Sequence, residues 1–138
     1  GDLTDYFKFT FVRNPWAIRY SYYCYNKKET GRLGKYARNL SFGDWVRRYL
    51  TKNARPRRSQ MWYLGGNPDS VDFIGRVENL QEDFNVVCDN LGIPRQQLPH
   101  KNKSKHKHYT EYYDDATREL VAEYYAEDIE YFGYKFGE

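Results

Sequence analysis

No Gly-rich Lys-Ser/Thr run occurs anywhere in the 138 residues. The local signature of a phosphate-cradling P-loop is therefore missing. No apolar run approaches the roughly 20 residues that a membrane-crossing helix needs, and no signal-peptide pattern is present. Cysteine is scarce. Cys24 and Cys88 form no CxxC and no zinc spacing, and are expected as two buried thiols rather than a disulfide. Methionine occurs once, at Met61, while the first residue is Gly1, so a start codon is expected elsewhere than at residue 1. Acids are nearly absent from residues 26–60, where eleven Lys/Arg face only Glu29 and Asp44. No internal repeat is visible.

What remains is a globular composition. Hydrophobic residues make up 40% and charged residues 30%, which excludes a disordered chain and permits a core. The mean hydropathy of -0.98 overstates the polarity, because the 15 tyrosines score as polar yet carry large apolar rings. The length suits one domain, residues 1–138. Net charge is +3, but residues 109–138 hold nine acids against two bases, a net of -7 that leaves +10 on residues 1–108. The basic part, not the acidic C-terminal part, is expected to face an anionic partner.

Residues 8–12 alternate Phe9 and Phe11 with smaller or polar residues and read as a strand. Asn14 and Pro15 then predict a helix start, with the helix running to about residue 26. Gly31 and Gly34 are expected in a loop. Ser41 and Asp44 resemble a capping pair for a helix with Phe42, Trp45, Val46, Tyr49 and Leu50 on one face. Residues 51–59 are expected as a basic loop, and residues 60–64 as a short helix or turn. A second strand covers residues 71–75. Asn79 is expected to cap the next helix, with Leu80, Phe84, Val87 and Leu91 inward and Gly92 at its end. Residues 95–108 are free of acids and read as a loop. Asp114 or Asp115 caps a last helical region with Leu120, Val121, Tyr124 and Ile129 inward, and Phe132, Tyr134 and Phe136 pack at the end.

Several residues bear chemistry. Arg13 lies where the first strand gives way to the helix. Backbone N–H groups and the helix dipole favour anions there, and the guanidinium fork suits phosphate oxygens. Ser21 adds a hydroxyl eight positions on. Arg76 closes the second strand at an equivalent position. Arg55, Arg57 and Arg58 form a basic loop that either meets an acidic acceptor or is merely solvated. Residues 100–108 interleave Lys with His106 and His108. Readings as a solvated loop, a nucleic-acid contact or a loop closing over an anion stay open; the lysines oppose a metal. Tyr20, Tyr22, Tyr23 and Tyr25 read mainly as packing, with one exposed ring available to stack on a base or sugar.

Phe9-Thr10-Phe11-Val12-Arg13-Asn14-Pro15-Trp16 with Ser21 resembles the 3′-phosphate-binding motif of the carbohydrate sulfotransferases. The resemblance continues, in the same order, through Phe73-Ile74-Gly75-Arg76-Val77-Glu78-Asn79-Leu80, Leu98-Pro99-His100-Lys101-Asn102-Lys103-Ser104 and Asp128-Ile129-Glu130-Tyr131-Phe132-Gly133-Tyr134. It implies an α/β fold that is a partial P-loop-NTPase-like sulfotransferase fold, helix-rich with a small parallel sheet. It implies transfer of a sulfuryl group from 3′-phosphoadenosine 5′-phosphosulfate (PAPS) to a carbohydrate hydroxyl or amine by in-line displacement. On this resemblance Arg13 and Ser21 hold the donor's 3′-phosphate, Asn102 and Ser104 contact the donor, and no metal takes part.

Two departures stand out. The Asp-Arg that usually follows Trp is here Ala17-Ile18, with Arg19 next, so a local ion pair is lost and Arg19 is expected to point elsewhere. The 5′-phosphosulfate loop is absent, and with it the expected catalytic base. The chain is thus read as the C-terminal portion of such an enzyme, inactive alone. A non-catalytic module binding glycan or RNA is the alternative, although no nucleic acid is the expected partner. Self-association through an exposed sheet edge is a further expectation. The resemblance leaves the compartment open: cytoplasmic for bacterial or viral relatives, Golgi membrane for animal ones.

Overall fold

The computed structural model describes residues 6–51, 58–99 and 107–138. In chain order its elements are β1 (Phe9–Val12), α1 (Pro15–Lys28), α2 (Arg32–Arg38), α3 (Phe42–Thr51), α4 (Gln60–Tyr63), β2 (Phe73–Arg76), α5 (Leu80–Leu91), α6 (Asp115–Tyr124) and α7 (Ala126–Phe132), with short 3-10 turns before α5 and α6. This is a helix-rich α/β arrangement. The residues gather into two compact units. The first is Gly1–Arg13 with Gln60–Ser104, and the second is Asn14–Ser59 with Lys105–Glu138.

The first unit is built on the parallel pair β1 and β2, in which Phe9 faces Phe73, Phe11 faces Gly75 and Val12 faces Arg76. Asp72 extends the pairing by one residue: its N–H donates to the Lys8 carbonyl (2.7 Å) and its carboxylate accepts from the Lys8 N–H (2.9 Å). Gly75 is buried because the Phe11 ring lies across it; a Cβ there would meet that ring at 2.5 Å. Helix α5 buries Val87 and Cys88, whereas Leu80 and Leu91 are 41% and 46% exposed. The expected inward stripe thus holds only in its middle, since the buried face also runs through Cys88. Asn79 makes no side-chain cap. It donates instead to Asp83 Oδ1 (3.1 Å), and the Asp83 carboxylate does the tying at this end. Gly92 ends α5 at φ 70°, as its lack of a Cβ permits.

The second unit is an aromatic helical cluster. Asn14 caps α1 by accepting from the Trp16 and Ala17 N–H groups. Ser41 Oγ accepts from the Asp44 N–H, and Asp114 Oδ1 accepts from the Thr117 N–H (2.7 Å), as capping residues should. The Thr117 hydroxyl beside it, together with that N–H, holds the Asp114 carboxyl below its ordinary range. Gly34 was expected in a loop but lies inside α2. It is buried, and a Cβ would overlap the Glu29 carbonyl. Close approach of two backbones, rather than a turn, requires this glycine. On α3, Phe42, Trp45 and Val46 are buried while Tyr49 is exposed.

Ring pairs bind these helices edge to face: Tyr20 with Phe42 (5.1 Å), Phe42 with Tyr113 (4.9 Å) and Trp16 with Phe136 (5.6 Å). Such pairs add about 0.5–1.5 kcal/mol beyond their area. Polar tips inside the cluster find backbone partners: Tyr113 Oη donates to the Trp16 carbonyl (2.7 Å), Tyr23 Oη to that of Leu40 (2.7 Å) and Trp16 Nε1 to that of Arg118 (3.1 Å). Burial raises the Tyr20, Tyr113 and Tyr125 hydroxyls above their ordinary range; the Arg19 charge offsets part of the rise at Tyr113 and Tyr125.

Arg19 is itself buried, within 5.2–5.6 Å of the ring centres of Tyr22, Tyr49, Tyr124 and Tyr125. Its Nε has no hydrogen-bond partner among the described residues. It turns into the core, where ring faces substitute for a counter-ion. Both cysteines are free thiols, Cys88 buried and Cys24 half-buried. Among the described residues no helix is long and apolar enough to cross a membrane.

Candidate functional site

Strand β1 ends at Val12, and the register places Arg76 directly beside Val12. Arg13 follows immediately. Two arginines thus stand at the same, carboxyl edge of a parallel pair whose strands lie about 4.8 Å apart. Ligands of α/β proteins gather outside that edge. Both residues are half-buried.

The main chain of each arginine is held by a side chain. Gln60, the first residue of α4, spans Arg13 on both sides: the Arg13 N–H donates to Gln60 Oε1 (2.8 Å), and Gln60 Nε2 donates to the Arg13 carbonyl (2.8 Å). The carboxamide thereby acts as a one-residue strand partner at the end of β1. At Arg76, the backbone N–H donates to Asp83 Oδ2 (2.7 Å). A third clamp lies further along the first unit. Gln81 donates to the Gln96 carbonyl (2.9 Å) and accepts from the Leu98 N–H (2.8 Å), fixing the segment that leads towards residues 100–106.

One sequence expectation is corrected by this geometry. The start of α1 offers no open row of N–H groups to an anion. Pro15 has no N–H, Trp16 and Ala17 donate to Asn14 Oδ1 (3.0 and 3.3 Å), and Ile18 donates to the Asn14 carbonyl (3.0 Å). The cap that makes the helix also satisfies its first donors.

Ser21 lies in the second unit, half-buried on α1. It is six residues past Pro15, about 9 Å along the helix axis. Arg19 is two residues earlier and so projects roughly 200° away around the helix, towards the tyrosine core. Of the tyrosines near Ser21, Tyr20 and Tyr23 are buried, whereas Tyr22 and Tyr25 are exposed and carry the stacking expectation. Arg58 is exposed, its N–H bonded to Tyr124 Oη (2.9 Å). Arg55, Arg57, Asn102, Ser104 and His106 lie outside the described residues. His108 caps the turn before α6, its ring nitrogen accepting from the Thr110 N–H. Among the described residues no group of three His, Cys, Asp or Glu side chains is placed to hold a metal.

Gln60, Asp83 and Gln81 had no place in the sequence reading. Asp83, four residues past Asn79 in the first turn of α5, carries a faint capping signal. Gln60 carries none, because its partner is 47 positions away.

The sequence profile of the sulfotransferase family matches residues 1–135. The chain belongs to that family. The match runs through both units and all the segments on which the resemblance rested. An uncharacterized protein of Archaeoglobus fulgidus is 35% identical over 91 residues, which cover 66% of this chain and 72% of that protein. No solved structure matches the chain. Membership makes this a transferase domain of the sulfuryl-transfer class, with a nucleotide donor and an acceptor as its substrates. In this sulfotransferase-family chain Arg13 and Arg76 lie at the carboxyl edge of β1 and β2.

Proposed function

We propose that the protein is a PAPS-dependent carbohydrate sulfotransferase domain and that its strand-end arginines recognise the donor's 3′-phosphate. The observation that carries this reading is that Arg76 ends β2 while Arg13 directly follows the end of β1, so both stand at the carboxyl edge of the parallel pair. A phosphate monoester carries about -1.5 to -2 charges at neutral pH. Two guanidinium forks supply both the charge and the directed donors that match it. Ser21 adds a hydroxyl, with Asn102 and Ser104 as further donor contacts and Arg55, Arg57 and Arg58 facing an acidic sugar acceptor. PAPS supplies the sulfuryl group; the residues named here bind and orient it, and positioning is a large share of catalysis for such transfers. The sequence holds no Gly-rich Lys-Ser/Thr loop for the 5′-phosphosulfate, so this chain alone is expected to bind donor but turn over little.

The test compares adenosine 3′,5′-bisphosphate with adenosine 5′-monophosphate by calorimetry at two salt concentrations. A preference for the bisphosphate that survives added salt and is lost in Arg13→Ala supports the reading. Affinity that collapses with salt and shows no nucleotide preference favours a polyanion-binding module instead. Robust sulfuryl transfer by the 138-residue chain would overturn the expectation of low turnover.

A further inference from the structure

We infer that Gln60 is a positioning residue for donor recognition: its carboxamide, bonded to both the N–H and the carbonyl of Arg13, sets the direction from which the Arg13 guanidinium meets an adenosine 3′-phosphate. This rests on the assignment of Arg13 to that phosphate.

The physical case starts from what happens to a chain at the end of a strand. Beyond Val12 the sheet ladder stops, since Arg76 is the last residue of β2. Arg13 has neither the ladder behind it nor the helix ahead of it, because α1 begins at Pro15. A residue in that gap depends strongly on what its own N–H and carbonyl bind. Both bind Gln60, at 2.8 Å each. A primary carboxamide is the one neutral side-chain group that offers an acceptor and a donor in one plane at the spacing of a peptide. Glu would keep the acceptor and lose the donor; Met would keep the volume and lose both. Gln60 is half-buried in the first turn of α4, next to buried Met61, so its own position is fixed by packing.

The consequence is specific. A loosened Arg13 backbone lets the guanidinium spread over several directions, and a bidentate contact to phosphate depends on direction. The loss should therefore fall on the 3′-phosphate and spare the rest of the nucleotide. A purely structural role for Gln60 would instead lower thermal stability and weaken every nucleotide alike.

The experiment measures dissociation constants of adenosine 3′,5′-bisphosphate and adenosine 5′-monophosphate by calorimetry, on the full chain and on Arg13→Ala, Gln60→Met and the double variant. Expected is a roughly tenfold weaker bisphosphate affinity in Gln60→Met with the monophosphate unchanged. The double variant should bind the bisphosphate no more weakly than Arg13→Ala alone, the non-additivity of residues acting through one contact. Additive losses, or equal losses on both nucleotides, overturn the inference. If Arg13→Ala leaves the bisphosphate preference intact, the phosphate assignment itself fails. If Arg13→Ala abolishes the preference while Gln60→Met keeps it, only the role of Gln60 fails. Should Gln60→Met not fold, Gln60→Glu is read in its place. Its retained acceptor predicts a partial loss of bisphosphate preference, and an unchanged preference overturns the inference.

Discussion

Asn14 Nδ2 donates a 3.0 Å hydrogen bond to the carbonyl of Lys135, 121 positions away, while Asn14 Oδ1 accepts from the Trp16 and Ala17 N–H groups. One buried carboxamide thus caps the first helix and anchors the last segment of the second unit.

Replacing it separates the two tasks. The cap is worth about 0.5–2 kcal/mol, and the part-buried bond to the Lys135 carbonyl about 0.5–1.5 kcal/mol. Asn14→Ala is expected to lose roughly 1–3.5 kcal/mol in urea unfolding. Asn14→Ser retains a capping oxygen but cannot reach Lys135, and should fall between the two. Equal stability of the Ser and wild-type chains would show that the long-range bond contributes nothing.

Arg19 invites a comparison of size with charge. Its contacts are four tyrosine rings, with no ion pair to a carboxylate among the described residues. Cation–π attraction of about 2 kcal/mol when desolvated works against the cost of burying a charge. Arg19→Met should change stability by less than about 1 kcal/mol, since these terms nearly cancel. Arg19→Ala opens a cavity and should cost about 2–4 kcal/mol. Losses as large for Met as for Ala would make the charge itself the stabilising element.

Two glycines three residues apart should respond in opposite ways. Gly31→Ala meets open space and is expected to be neutral or to stabilise by up to about 1 kcal/mol. Gly34→Ala drives a methyl into the Glu29 carbonyl. The gain in helix propensity, about 0.8–1.0 kcal/mol, should be outweighed by overpacking of about 1–3 kcal/mol. Thermal melts of the two variants decide the point.

Alkaline stability carries a signature of the tyrosine core. The Tyr113 hydroxyl titrates in the folded chain well above its ordinary 10.0 because burial disfavours the phenolate. A raised folded value means that this contribution is complete below pH 10 and fades as pH rises above it, by about 1.4 kcal/mol per pH unit for one proton. Tyr113→Phe should lose about 1 kcal/mol at pH 8, the worth of its bond to the Trp16 carbonyl. Above pH 10 it should show a shallower decline than wild type. Parallel curves across pH 8–12 would contradict the assignment.

What could be read from the sequence was whatever a few neighbouring residues decide. Asn14-Pro15, Ser41 with Asp44, Asp114 with Thr117, and Gly92 each specify a helix end through contacts within three or four positions, and each stands where expected. Both strands were legible, expected at residues 8–12 and 71–75 and standing at Phe9–Val12 and Phe73–Arg76. Their parallel pairing sets Val12 beside Arg76 and brings Arg13 to the same edge, and both arginines drew notice as strand-end anion contacts. The failures share a cause of the opposite kind. Gly34 looks like a loop residue until the Glu29 backbone is seen against it. Asn79 looks like a cap, yet its side chain bonds Asp83 rather than a helix N–H. Leu80 and Leu91 match an inward period, but burial is decided by what packs opposite. The Gln60 clamp joins residues 47 positions apart and has no local trace.

The second unit is assembled from two stretches of sequence with the whole of residues 60–104 inserted between them. During synthesis, α1 and α3 therefore emerge long before Tyr113, Tyr125 and Phe136 are made. Trp16 and Phe42 must wait for the Phe136 and Tyr113 rings that pack on them while residues 60–104 are translated. A nascent chain with such surface exposed is prone to aggregate. Its commitment to the native state comes late, when the segment that ties onto Asn14 leaves the ribosome.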